Sequence, residues 1–524
     1  MQLRIPLLLI SAISLFGGLW QGQYIYDGYH WGFIFTNALE LLNGHKPYSE
    51  IFLEYGFLTV FINAITLKLF SNNVYSLIFL TCLVYSLSLY LIGIITYTIT
   101  ENKFYSIFAS SILLVLYPWP TTPWANFYSF FFTIIFCFFY LKEKKIFHYS
   151  AGLSLALAYL CLTTVYNLVI GLFAISLLLY LSKFENKKKI LKTFFSFLTI
   201  ILLFFIYLKY NDLLSIWYEY QMIPFLIETS YLSESSKLYT LLLRYIYFLT
   251  INPIKNFILE PQWTVYAILF YSNITIIILQ TFNFLNNRNL KFYDEILVIN
   301  LLIFSLNIYA QILGIEKLAT SLALGSVSLA ILLVNIKSDE NKFILAFGIV
   351  FICLYSLFFT YNLDSSKIAG LRTAHLKDLL NLDSKIKNYQ FRYFKSQKWN
   401  EERWETIDKL INIQKSIIKK CDLQYGVNLT TNNFFHALIL NEKKQIIPWY
   451  EKKIDVLRSF IEPDWINNLQ YEVDNNNIII ISTKNNHKIL NLKDYSKPIK
   501  IKDFNEHKNI HNNIVYIFHP KKCF

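Results

Sequence analysis

Asp27 is the acidic residue best placed to do chemistry. It follows an apolar run from Ile5 to Trp20 and sits in the stretch Tyr26-Asp27-Gly28-Tyr29-His30-Trp31-Gly32. A carboxylate just past a hydrophobic segment is partly desolvated. Desolvation raises a carboxylate's pKa towards the range useful for proton transfer. His30 lies three residues on and shares a face with Asp27 if the segment is helical. Lys46, the Glu54-Tyr55 pair, Arg244 and the adjacent Glu316-Lys317 are further candidates. Most of them also have an ordinary structural role open to them. Asp27 can cap a helix beginning near Tyr29, and His30 can serve as a structural hydrogen-bonding residue. Glu54 can be the solvated start of a helix, Arg244 can snorkel to lipid headgroups, and Glu316-Lys317 can be a plain surface pair. The chain has no Gly-rich phosphate loop, no dinucleotide fingerprint and no Cys/His metal spacing. No cofactor is therefore expected. A divalent metal is compatible with the acids, but no spacing calls for one.

The elements that must position these residues are written in the hydropathy. The chain has 524 residues, 55% of them hydrophobic, and a mean hydropathy of +0.39. A soluble domain is rarely so apolar. Residues 1–360 are long apolar stretches with short polar loops, whereas 361–524 read as a polar domain large enough to bury its own core. A bilayer core of about 30 Å takes roughly 20 apolar residues in a helix. The expected spans are 5–20, 74–98, 104–118, 125–141, 146–163, 165–182, 190–209, 263–283, 294–314, 318–336 and 342–360. The fold class is thus a polytopic α-helical membrane protein of about 11 spans, with a C-terminal soluble α+β domain. The first span looks like a signal peptide, but no small-residue cleavage site follows, so it reads as uncleaved.

Sides follow from charge. Four short loops are basic: 142–145, 183–192, 288–291 and 337–342. An even number of spans separates each from the next, so all four share one side, the cytoplasm. With 54–70 read as an interfacial helix, parity puts the N-terminus with Arg4 inside; if 54–70 spans instead, the N-terminus is outside and Asp27 is cytoplasmic. The interfacial reading puts 21–73, 119–124, 210–262, the turn at Glu316-Lys317 and the C-terminal domain outside. The segment 54–70 is apolar but carries Glu54, Asn63 and Lys68, which suits an interfacial helix better than a span. Before it, Trp31, Phe33, Ile34, Ala38, Leu41 and Leu42 form one apolar face at helical spacing, which can rest on the bilayer surface. Gly44 and Pro47 end that helix and turn the chain.

This first loop resembles the GT-C class of membrane glycosyltransferases, which includes the protein O-mannosyltransferases (family 39-like) and the aminoarabinose transferases. The matching residues are Asp27, the Gly44-x-x-Pro47-Tyr48 turn, Tyr55, Gly56 and Leu58. A looser likeness extends to Gly152-Leu153 and to Asn428 through Phe435. Three departures stand out. Gly28 follows the Asp where many relatives have a second acid, Phe57 replaces a Pro, and 118–124 carries no acid. A single-base mechanism therefore fits better than a paired-acid metal site. The resemblance implies an inverting hexosyl- or pentosyltransferase that moves a sugar from a polyprenyl-phosphate donor. The acceptor would be an extracytoplasmic glycan, lipid or protein of the cell envelope. Asp27 would be the base. His30, Lys46, Arg244 and Lys317 are candidates to face the departing phosphate, with Glu54, Tyr55 and Glu316 completing the substrate-binding set. The expected location is a bacterial inner membrane. The alternative function is a lipid or glycan flippase or transporter without transferase activity. Against it, the spans show no internal repeat and few buried charges.

The C-terminal domain holds 27 Lys/Arg against 18 Asp/Glu, or +9 of the net +13. A basic face suits anionic headgroups, and equally suits a chain simply rich in Lys. No nucleic-acid motif accompanies it. Helical spacing is expected over Ile368–Tyr389 and Glu401–Lys420, and strands over Asn477–Ser482 and Asn513–Phe518. Cys421 and Cys523 can pair if the domain faces an oxidising compartment. The other four cysteines read as packing residues.

Overall fold

A computed structural model describes residues 3–24, 28, 30–51, 53, 56–116, 123–162, 172, 176, 184–218, 264–287, 324–336, 338–362, 386–388, 392–420, 425–430, 433–440, 444–445, 465–475, 478–483, 486–502 and 514–523. The protein is a polytopic α-helical membrane protein with a sheet-containing C-terminal region. Its chain divides into two units. The first comprises Met1–Gln21, Phe79–Asn211 and Leu232–Lys377; the second comprises Gly22–Ile78, Asp212–Tyr231 and Asp378–Phe524. The first loop thus folds with the C-terminal region rather than with the helices that flank it in sequence.

The helices of the first unit are α1 (Arg4–Gly22), α4 (Val74–Thr100), α5 (Lys103–Leu116), α6 (Ala125–Tyr140), α7 (Lys145–Cys161), α8 (Phe184–Tyr210), α9 (Thr264–Asn287), α10 (Gly325–Val334) and α11 (Asp339–Asn362). Nine of the expected spans coincide with or overlap them. Those at 165–182 and 294–314 fall outside the described residues, apart from helical Leu172 and Ser176. Within this set α1, α4 and the stretch Lys187–Tyr210 of α8 are long and apolar enough to cross a membrane.

These helices pack as membrane helices do, through small residues and hydroxyls rather than through a hydrophobic drive that lipid would cancel. Gly93 of α4 leaves room that Leu7 of α1 fills, and Ser86 donates to the Ser11 carbonyl at 2.6 Å. Between α4 and α5, Ser106 donates to Gly93 at 2.5 Å, Ser110 to Leu89 at 2.7 Å and Tyr85 to Leu113 at 2.6 Å. Gly152 of α7 lets the backbone of α8 approach at Thr193. There Thr193 donates to His148 at 3.2 Å and Ser196 to Tyr149 at 2.8 Å. Gly325 of α10 meets the backbone of α9 at Leu269, beside a buried Ser328–Asn273 hydrogen bond of 2.7 Å. Outward faces stay greasy: Phe343, Phe347 and Phe351 on α11 and Leu202, Leu203 and Ile206 on α8 are exposed. A membrane body needs such surfaces.

Two of the basic loops meet at one end of this bundle. Lys189, from 183–192, lies 4.3 Å above the ring of Tyr140, which leads into 142–145. Lys142 sits 4.7 Å from the ring of Phe138. Both arrangements are cation–π contacts of long side chains over edge aromatics.

In the second unit, the first loop supplies α2 (His30–Leu42) and α3 (Phe57–Leu69). The C-terminal region adds α12 (Glu401–Lys420), α13 (Asn433–Leu440), α14 (Trp465–Asn475), a β1–β2 hairpin pair (Ile386–Asn388, Lys398–Asn400) and a five-stranded sheet. The sheet runs β4 (Lys444–Gln445), β3 (Tyr425–Leu429), β5 (Ile478–Thr483), β7 (Ile514–Phe518), β6 (Ile499–Lys502). β3 is parallel to both neighbours and the last pairings are antiparallel. Val427, Leu429, Ile478, Ile480 and Phe518 form its core with Leu469 and Val473 of α14. Glu401–Lys420 is helical as the spacing predicts, and the two later strands fall where expected. The expected helix over Ile368–Tyr389 is not continuous. Ile386–Asn388 is a strand, because its backbone pairs with Lys398–Asn400, and such a tertiary partner overrides local spacing. Cys523 is disulfide-bonded. Cys82, Cys137, Cys161 and Cys353 are buried thiols, and Cys421 lies outside the described residues.

Candidate functional site

The first loop leaves α1 at Gly22, where a side chain would run into Ile78. Gln23 and Tyr24 turn the chain, Gly28 is buried, and α2 begins at His30. Asp27 lies outside the described residues, as do Glu54, Tyr55, Arg244, Glu316, Lys317 and the side chain of His30. Lys46 is described and exposed. What the structure does define is the scaffold on either side of Asp27.

Helix α2 is enclosed. Every residue from Trp31 to Glu40 is buried, and only Leu41 and Leu42 are half-buried. The apolar face expected to rest on the bilayer is covered by protein instead, because α3 and α13 both pack on α2. Phe35 is the pivot. Its ring meets Tyr393 edge-on at 5.3 Å and Phe434 at 6.4 Å, and Phe434 meets Phe394 at 5.1 Å and 87°. Edge-to-face pairs of this kind contribute about 0.5–1.5 kcal/mol each beyond area burial. The segment containing Asp27 is therefore followed directly by a helix anchored in the C-terminal region.

The Gly-x-x-Pro-Tyr turn has a physical explanation. Gly44 donates its N–H to Leu41 at 3.1 Å and His45 donates to Glu40 at 3.1 Å. Those two bonds close a Schellman motif, which needs a left-handed residue; Gly44 supplies it with φ +91°. Glu50 then accepts the Lys46 N–H on its carboxylate at 2.7 Å, while Glu50 and Ile51 both donate back to the Lys46 carbonyl. Tyr48, buried at its tip, is held at φ +66°. A non-glycine residue in that region is kept there only by its surroundings.

Three residues not singled out by sequence belong to this scaffold. Glu40 is a second acid of the first loop, 2% exposed. On an amphipathic reading it falls on the polar face, so only the packing of α3 and α13 reveals it as enclosed. Gln397 is 0% exposed, and Lys398 donates its N–H to the Gln23 carbonyl at 2.6 Å. Lys398 also sets its ammonium 5.6 Å from the Tyr24 ring. Nothing local in the sequence marks Lys398, since its partners Gln23 and Tyr24 lie at the other end of the chain. Among the described residues no three His, Cys, Asp or Glu side chains gather as metal ligands.

No protein-family model matches the chain, and no curated protein matches it. Solved structures do. ArnT from Cupriavidus metallidurans bound to undecaprenyl phosphate superposes with a TM-score of 0.55 at 9% identity, over 98% of this chain and 97% of that one. The same protein in its apo state gives 0.50 over the same shares. The chain shares the ArnT fold. The likeness covers 98% of the chain, so it runs through the membrane helices and the C-terminal region alike.

Proposed function

We propose that this chain is a membrane glycosyltransferase that moves a sugar from a polyprenyl-phosphate donor to an extracytoplasmic glycan, lipid or protein. The observation that carries the reading is the likeness to ArnT over 98% of the chain, in a structure that holds undecaprenyl phosphate. The pattern of Asp27, Gly44, Pro47, Tyr48 and Gly56 supports it.

In the proposed step, Asp27 takes the proton of the acceptor hydroxyl as that oxygen attacks the anomeric carbon. The bond from carbon to the phosphate oxygen breaks, the phosphate leaves with the electron pair, and the configuration inverts. His30, Lys46, Arg244 and Lys317 are the proposed donors and cations for the leaving phosphate; Glu54, Tyr55 and Glu316 are proposed to hold substrate. The proposed setting is a bacterial inner membrane, with the N-terminus cytoplasmic and the first loop and C-terminal domain outside. The parity of basic loops supports that orientation, as does the folding of Gly22–Ile78 and Asp378–Phe524 into one unit. A disulfide at Cys523 fits an oxidising compartment.

The deciding experiment is Asp27→Asn assayed with a radiolabelled polyprenyl-phosphate sugar in membranes. A general base is worth about 10²–10⁴ in rate, so transfer should fall by roughly a thousandfold. Wild-type transfer in the variant would refute the base assignment.

A further inference from the structure

The segment Tyr393–Lys398 belongs to the C-terminal region yet is built onto the chain that leads to Asp27. Tyr393 and Phe394 are buried, and Tyr393 packs on Phe35 of α2. Ser396 takes a left-handed φ of +79° and reverses the chain, and Gln397 donates its N–H to Phe394 at 2.9 Å. The Lys398 N–H then bonds to the Gln23 carbonyl. Two side chains of this turn carry polar groups that bear on binding. Lys398 is half-buried, with its ammonium over the Tyr24 ring, three residues before Asp27. Gln397 is fully buried, and neither its amide nitrogen nor its amide oxygen has a partner among the described residues.

A buried amide with both atoms unsatisfied is costly unless something else completes it. The next residue in the chain, Lys398, sets a cation 5.6 Å from the Tyr24 ring, an arrangement that holds the charge in place without neutralising it. Donor N–H groups next to a fixed positive charge are what an anionic phosphate oxygen requires.

We propose that Gln397 and Lys398 are donor-binding residues, forming a phosphate-recognition element for the polyprenyl-phosphate headgroup. The C-terminal region then supplies part of the binding site rather than only covering it. The inference rests on the transferase reading for its ligand, but binding can be tested apart from turnover.

The test uses the full-length protein in detergent micelles, with intrinsic tryptophan fluorescence as the readout. Undecaprenyl phosphate, undecaprenol and inorganic phosphate are titrated into wild type, Lys398→Gln, Lys398→Arg and Gln397→Leu. Lys398→Gln should weaken undecaprenyl phosphate about tenfold and leave undecaprenol unchanged. Lys398→Arg should recover most of the loss, and Gln397→Leu should weaken the phosphate ligand alone. Competition by inorganic phosphate in wild type but not in Lys398→Gln would place the recognition on the phosphate itself. Lys398→Gln binding undecaprenyl phosphate as tightly as wild type overturns the proposal. So does equal loss of undecaprenol and undecaprenyl phosphate, which marks a structural role. Wild type that binds undecaprenyl phosphate but transfers no sugar would sink the transferase reading while leaving these binding results standing. Sugar transfer by wild type beside undecaprenyl phosphate binding unaffected in Lys398→Gln sinks this inference alone.

Discussion

The two helices of the first loop start from similar material and meet different fates. α2 and α3 are both 13 residues long and both mostly apolar. α2 is wrapped by protein from Trp31 to Glu40. α3 buries Thr59, Val60, Asn63, Ala64, Thr66 and Leu67 but leaves Phe61, Ile65 and Leu69 exposed. Those three recur every fourth residue and so form one stripe, with Phe57 stacked on Phe61 at 6.0 Å and Lys68 beside them near the helix end. The buried side of α3 carries Thr59, Asn63 and Thr66 among Val60, Ala64 and Leu67. The pair teaches that apolar content alone does not say what covers a helix. α2 is covered by α13 and α3, whereas the outer stripe of α3 is turned away from protein and suits the edge of a bilayer.

The comparison breaks most readily at Phe35. It is fully buried and joins α2 to Tyr393 and Phe434. Phe35→Ala should destabilise the second unit by about 3–5 kcal/mol, the usual range for a buried phenylalanine. Limited proteolysis of the C-terminal region in membranes would read the effect. An unchanged cleavage rate would mean that α2 is not held through this cluster.

Much of this was legible in sequence, and the remainder was hidden for a physical reason. Hydropathy located the helices because a span must be apolar along its length. It also located Glu401–Lys420, whose spacing is helical throughout. The Gly44 turn was legible because one residue type meets one backbone requirement. The burial of α2 was not, because its apolar face reads the same whether lipid or protein covers it. Glu40 was hidden by the same ambiguity, since a carboxylate on the far face looks solvated until a second helix is laid over it. Ile386–Asn388 was misread because a strand is decided by its partner. Lys398 was invisible for the strongest form of that reason: its meaning lies in Gln23 and Tyr24, at the other end of the chain.

A smaller effect tests how the two helices are joined. Gly44 sits at φ +91° with no atom close enough to obstruct a side chain, so only backbone strain opposes replacement. Gly44→Ala should therefore cost about 1–2 kcal/mol, and Gly44→Asn distinctly less, because Asn tolerates the left-handed region. Thermal unfolding of the purified protein should rank them wild type, Asn, Ala. An Ala variant as stable as wild type would show that the Schellman turn does not hold the end of α2.

The smallest effect on folding should come from the α3 stripe, and that smallness is informative. Phe61→Ala removes a ring that protein does not cover, so stability in detergent should change by no more than about 0.5 kcal/mol. The same residue should nevertheless report on lipid. A bimane label on Cys introduced at position 61, 65 or 69 should be quenched by nitroxide lipids, while one at Asn43 or Ser49, both exposed in the polar turn, should not. Label at 61 reached by a water-soluble quencher and untouched by the lipid one would place the stripe in water. α3 would then need a protein partner, and the contrast with α2 would become one of two helices covered by different proteins rather than by protein and lipid.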